Sequence, residues 1–200
     1  MERKEYSAGA VKLSFWFVEF RKVVELLNEG KRSEQIKSLA INENLFAAPT
    51  KLRANQIYHT VTGRIKALDK SFIPLFVRSD LATQKLIALI AAMVYDTLFF
   101  DFVYEVIREK MILGSNDFTD SDVRIFFKDK QQQDEKVARW TDATLVRLGR
   151  CYKTMLYEAG IIDKSKTARK IFRPILDPEL VGWLKQNDMD VYIKALAGVR

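Results

Sequence analysis

Leu86-Ile-Ala-Leu-Ile-Ala-Ala-Met-Val-Tyr95 is the most apolar run in the sequence, and its setting decides the fold. Asp80 precedes it as a good N-cap residue, and the helical pattern continues to about Ile112. A helix apolar on most sides between Leu86 and Val103 has to be enclosed by other helices, which predicts an all-α compact bundle with this segment at its centre. A membrane span needs about 20 mostly apolar residues, and this run is roughly half that. Asp96, Asp101 and Glu105 then interrupt the pattern, so the segment reads as a buried core helix and no membrane partner is expected.

On the N-terminal side, Leu13, Phe17, Phe20, Val24 and Leu27 recur at helical spacing and predict a first helix from about Ala8 to Asn28, ended by Gly30. Ser33 opens a second helix through Leu45. Pro49 and Thr50 open a third to about Leu68, with Ile57, Tyr58, Val61, Ile65 and Leu68 inward. A short apolar helix follows at Phe72 to Val77. On the C-terminal side, Gly114-Ser-Asn-Asp117 is the clearest loop, which predicts an N-terminal helical lobe over 1–113 and a basic C-terminal lobe over 114–200. Thr119-Asp-Ser-Asp122 starts one helix there, and Thr141 caps another that ends at Gly160. Ile161-Ile162, a polar Asp163-Lys-Ser-Lys166 turn and Ala168 to Phe172 outline a small β-hairpin, whose second strand Pro174 confines to an edge. A helical pair from Pro178 to about Leu196 closes the chain.

Only eight glycines and four prolines interrupt the 200 residues, which favours long helices over a turn-rich β fold. The single cysteine, Cys151, cannot form an internal disulfide, and the N-terminal residues lack an apolar signal core; both fit a cytoplasmic location.

The net charge of +7 suggests a polyanionic partner, and its placement is more informative than its size. Arg147, Arg150, Lys153, Lys164, Lys166, Arg169, Lys170 and Arg173 face only two acids in their window, Glu158 and Asp163. Helical spacing puts Arg147, Arg150 and Lys153 opposite the apolar face of their helix, and the other cations flank the expected hairpin. A helix pair whose second member is basic and outward, followed by a basic hairpin, has the outline of a winged helix-turn-helix, with duplex DNA as its partner. A second basic set, Lys51, Arg53, Arg64, Lys66 and Lys70, adds candidate phosphate contacts, while Tyr58 beside it fits the apolar stripe and belongs to the core. A plain solvated surface is the competing reading of both sets.

Catalytic motifs are absent from the sequence. One histidine, His59, and one cysteine have no ligand-like spacing, and no Gly-rich phosphate loop, HExxH or GxSxG pattern occurs, so neither enzymatic activity nor a cofactor or metal is expected. Asp117, Asp120 and Asp122 lack the spacing of a calcium loop and are explained by helix capping. Asp96, Asp101 and Glu105 adjoin the most apolar helix and need partners, for which Arg108 and Lys110 are the nearest candidates.

Three stretches together resemble a known family. These are Tyr6-Ser-Ala-Gly9, Asp101-Phe-Val-Tyr-Glu-Val-Ile-Arg-Glu-Lys110, and Thr119-Asp-Ser-Asp-Val123 with Phe126, Phe127 and Lys130. The third continues through Trp140-Thr-Asp-Ala-Thr-Leu145 to Glu158-Ala-Gly-Ile-Ile162. Their order and spacing are similar to those of the BrxA-like family of BREX phage-defence systems. The resemblance implies a helical core similar to the NusB-type fold, affinity for double-stranded DNA, and other BREX components as neighbours. It carries no residue-level DNA-contact motif, so the candidate site rests on charge placement. Two alternatives stay open: a protein–protein adaptor displaying Trp183 and Tyr192, and an RNA-binding role by analogy with the NusB-type core.

Overall fold

A computed structural model describes residues 4–199 as a succession of helices with one small antiparallel sheet. The chain forms two compact units: Trp16–Tyr95, and the segment ending at Phe15 together with the chain from Asp96 onward. The loop at Gly114–Asp117, expected to separate two lobes, lies inside the second of these units.

The Trp16–Tyr95 unit contains α1 (Phe17–Asn28), α2 (Ser33–Asn42), α3 (Lys51–Lys66), α4 (Phe72–Arg78) and α5 (Leu81–Tyr95). The first helix starts at Phe17 rather than near Ala8. Ser7 caps a short 3₁₀ turn at Ala8–Lys12, the backbone extends at Leu13, and Trp16 adopts a left-handed conformation (φ 52°) ahead of α1. Phe15 and Trp16 are both buried, so large aromatic anchors override helical periodicity here. Thr50 opens α3 by accepting the Arg53 amide, and Phe20 packs its ring against Phe72 and Phe76 at 6.2 and 5.6 Å. As its composition demands, α5 is buried at every position from Leu86 to Val94, and Asp80 caps its start by accepting the Thr83 amide.

The long helix expected to reach Ile112 breaks at Asp96. Its backbone leaves the helical region, and its carboxylate accepts the amides of Leu98 and Phe99, starting a new helix. The second unit therefore holds α6 (Thr97–Phe102), which runs through one π turn (Val103–Ile107) into α7 (Arg108–Ile112). Next come β1 (Asp117–Thr119), α8 (Asp120–Gln133), α9 (Glu135–Ala138), α10 (Asp142–Glu158), β2 (Ala168–Lys170), α11 (Pro178–Gln186) and α12 (Asp190–Ala197).

β1 pairs antiparallel with β2, placing Asp117 opposite Lys170 and Thr119 opposite Ala168. On the other edge of β2, Ile162 bridges Ile171, the Asp163 amide donates to the Lys170 carbonyl, and the Phe172 amide donates to Ile161. The expected hairpin is thus present as a single bridge with its flanking hydrogen bonds, while the ladder partner of β2 is β1. From α7 the order is β1, the three helices α8, α9 and α10, the Ile162 bridge, a loop and β2.

Aromatic rings hold this unit together. Phe102 lies 5.9 Å from Phe118, 5.1 Å from Phe126 and 5.4 Å from Tyr152, and Phe99 packs tilted against Tyr152 at 4.8 Å. Tyr152 is fully buried, and burial, with the nearby charge of Asp96, keeps its hydroxyl protonated well above the usual tyrosine range. Where α10 crosses α8, Gly149 lets Val123 approach so closely that a Cβ there would lie 2.6 Å from Val123 Cγ1. Gly149→Ala is expected to force the helices apart and to destabilise the unit by about 1–3 kcal/mol, read from the urea midpoint.

Candidate nucleic-acid interface

The face of α10 is set by its packing. Leu145, Leu148, Gly149, Tyr152, Met155 and Leu156 are buried, so Ala143, Arg147, Arg150 and Thr154 project to the opposite side, where all four are exposed. Thr141 accepts the Thr144 amide at the start of the helix, and Gly160, at φ 81°, ends it in the left-handed conformation its sequence position suggests.

The eight cations between Arg147 and Arg173 divide into two groups. Lys153 and Arg169 both bind Oδ1 of Asp120, at 2.7 and 2.9 Å, and both are largely covered. Lys170 pairs with Asp117 at 2.5 Å across the β1–β2 ladder, and Arg173 donates to the Met111 carbonyl at 3.0 Å. These four are engaged in the protein's own structure. Arg147 and Arg150 on α10, and Lys164 and Lys166 on the loop leading into β2, are exposed and form no ion pair among the described residues. Because one Asp120 carboxylate holds both α10 and β2, the loop bearing Lys164 and Lys166 projects from a strand docked beside α10. Asp117 and Asp120, which sequence presents only as capping residues, are the partners that composition does not reveal. Asp122 does cap: with Thr119 it closes a capping box at the start of α8.

The second basic set fares differently. Arg64 is 2 % exposed, so it is withdrawn from the candidate contacts: a helical flank that looks polar by spacing is covered in the folded unit. Arg53 is half-buried, stacked 4.9 Å over the Trp16 ring and donating to Gln56. Lys51, Lys66 and Lys70 remain exposed, and Tyr58 is a core residue that donates its hydroxyl hydrogen to the Ser33 carbonyl.

The N-terminal arm, residues 4–15, lies against α10. Its Val11, Leu13 and Ser14 line a crevice of about 380 Å³ with Arg147, Arg150, Cys151 and Thr154. The arm is anchored at Tyr6, whose hydroxyl donates to Asp101 at 2.5 Å. Asp101 and Glu105 meet Lys130 of α8, at 3.6 and 2.6 Å, and the Lys130 ammonium lies 5.7 Å from the Tyr6 ring. Lys130 thus supplies the compensation expected from Arg108 and Lys110. Arg108 turns to Glu109 and the Val199 carbonyl, and Lys110 to Asp122. Burial opposes the charge on Lys130, but its hydrogen bond to Glu105 and the nearby carboxylates raise its pKa above the ordinary lysine value. Trp183 and Tyr192, expected to mark an exposed docking surface, are 8 % and 7 % exposed, and burial pushes the Tyr192 hydroxyl up to about 12.

Fold and site together define a small helical protein with a two-strand ladder and a basic, outward-facing helix beside it. The BrxA family model matches residues 4–188, and the chain belongs to the BrxA family. A protein named BREX protein BrxA from Bacillus cereus strain H3081.97 is 39% identical over 91% of this chain and 91% of its own length. Proteins of the same name from Escherichia coli O9:H4 strain HS and Paramagnetospirillum magneticum strain AMB-1 are 24% and 25% identical, covering 91% and 97% of this chain and 85% and 95% of their own. The crystal structure of an uncharacterized protein from Magnetospirillum magneticum matches the fold with a TM-score of 0.81 at 20% identity, over 98% of this chain and 100% of that one.

Two outcomes follow from the ion pairs. Lys130→Met leaves Asp101 buried without its cation and is expected to cost about 3–5 kcal/mol of stability, measured by denaturant unfolding. At Asp120 the hydrogen bond from Lys153, with the charges of Lys153 and Arg169, holds the carboxyl below its ordinary value of 3.8. The stabilisation is therefore fully present above that value and is lost as pH falls through the lower, folded pKa. An NMR titration of the Asp120 carboxyl carbon should show a midpoint below 3.8, rising towards it in Lys153→Met.

Proposed function

We propose that this chain is a DNA-binding accessory protein of a BREX bacteriophage-defence system, holding duplex DNA mainly through phosphate contacts and performing no catalysis itself. The observation that carries this reading is the division of the cations. Four are committed to internal partners, while Arg147, Arg150, Lys164 and Lys166 stay exposed on a helix and an adjoining loop fixed to one another through Asp120. The order β1, α8, the short α9, α10, loop and β2 supports a winged-helix reading, in which α8 and α10 would serve as the helix pair and the Asp163–Thr167 loop as the wing. Exposed lysines on a wing suit phosphate oxygens, which position a protein on the duplex. The relatives' shared name, BREX protein BrxA, supports the defence setting and makes other BREX components natural partners. Among the described residues no helix is long and apolar enough to cross a membrane.

A protein-docking role is favoured by one separate observation: Phe172 and Ile175, between β2 and α11, are 53% and 95% exposed. Fluorescence anisotropy with a labelled duplex across a salt series distinguishes the two. Binding is expected to weaken steeply with salt, and Lys164→Ala with Lys166→Ala to make the log–log slope shallower by about two, roughly one for each phosphate no longer neutralised. Absence of duplex binding at low salt would leave the docking role as the better account.

A further inference from the structure

We infer that α10 reads base edges in the major groove, with Arg147 and Arg150 recognising guanine, so that the duplex is bound with a sequence preference. This rests on the duplex-DNA reading above and adds a chemical identity to its target.

Ala143, Arg147, Arg150 and Thr154 follow one another at intervals of four, three and four residues and form a single line along the exposed side of α10. Behind that line Leu148 and Tyr152 are fully buried, and Gly149 lies tight against Val123, so the helix is a rigid platform. The first turns expose Ala143 and Val146, the latter 57% exposed, beside the short acidic side chain of Asp142. No long side chain there holds the helix away from a groove floor, and both methyl-bearing residues suit the thymine methyl group.

The two arginines are then the long polar groups placed to reach the bases. Three residues of helix rise about 4.5 Å, close to the spacing of about 3.4 Å between successive bases on a strand, so the two guanidiniums address neighbouring base pairs. Each offers a planar pair of donors that matches O6 and N7 of guanine. Neither is spent on an ion pair among the described residues, unlike Lys153 one turn further on. The crevice between α10 and the N-terminal arm leaves space along their flank for both guanidiniums to reorient, with Ser14 and Thr154 hydroxyls beside them. Phosphate neutralisation, the competing use of a cation, is met by Lys164 and Lys166 on the neighbouring loop.

The test selects duplexes from a randomised pool with the full chain and with the double variant Arg147→Lys, Arg150→Lys. The variant keeps both charges on exposed positions but cannot form the paired donor contact. The unaltered chain is expected to enrich a short guanine-containing motif and to bind it at least about tenfold more tightly than a scrambled duplex. The lysine variant should bind both duplexes with the scrambled affinity and an unchanged salt slope. Salt-sensitive binding with no enriched motif would overturn base reading while leaving DNA binding intact. A motif that survives in the lysine variant would overturn the assignment to these arginines. No duplex binding at all would remove both readings.

Discussion

The ammonium of Lys130 is the constraint on which the second unit depends. It is 3% exposed and belongs to α8, yet its partners come from elsewhere: Asp101 from α6, Glu105 from the π turn, and the face of Tyr6 from the N-terminal arm. A charge so far from water is tolerable only when its partners are fixed around it. Asp101 and Glu105, four residues apart and so on one helical face, are both within reach of the one nitrogen. With α8 held in this way, its first turn fixes Asp120, and Asp120 in turn fixes α10 and β2. The exposed surface thus inherits its geometry from a buried charge on the far side of the same helix.

Much of this fold is legible in the sequence, and the failures share one physical cause. Asp80, Thr141 and Gly160 act through neighbours three or four residues away, so their capping roles can be read directly. Asp96 is visible only as an interruption of an apolar pattern; that it caps a new helix depends on the chain leaving the helical conformation there. Trp16 breaks periodicity because of what buries it. β1 is three residues long, too short for alternation to register, and exists because β2 lies opposite. That Asp101 and Glu105 need a cation follows from their apolar setting, but the local candidates Arg108 and Lys110 lose to Lys130, 25 residues beyond Glu105.

The candidate surface shows the same limit. The excess of cations between Arg147 and Arg173 is plain in the sequence, but Asp117 and Asp120 stand outside that window and neutralise three of its members through tertiary contact. Charge counted along a chain measures supply, whereas the charge available to a ligand is what remains after internal pairing. The remainder is smaller than composition implies and more sharply localised, on one helix face and one loop. Arg64 is the extreme case, a formal cation absent from the surface altogether.

The N-terminal arm gives the chain an unusual order of assembly. Residues 16–95 form a unit of their own, inserted in the sequence between the arm and its partners Asp101 and α10. Tyr6 precedes its acceptor Asp101 by 95 residues, and α10 comes later still. The inserted unit can complete its core while the arm is waiting. Closure of the arm is therefore a late, long-range step, and a nascent chain stalled before Lys130 would carry a folded middle and an unanchored beginning.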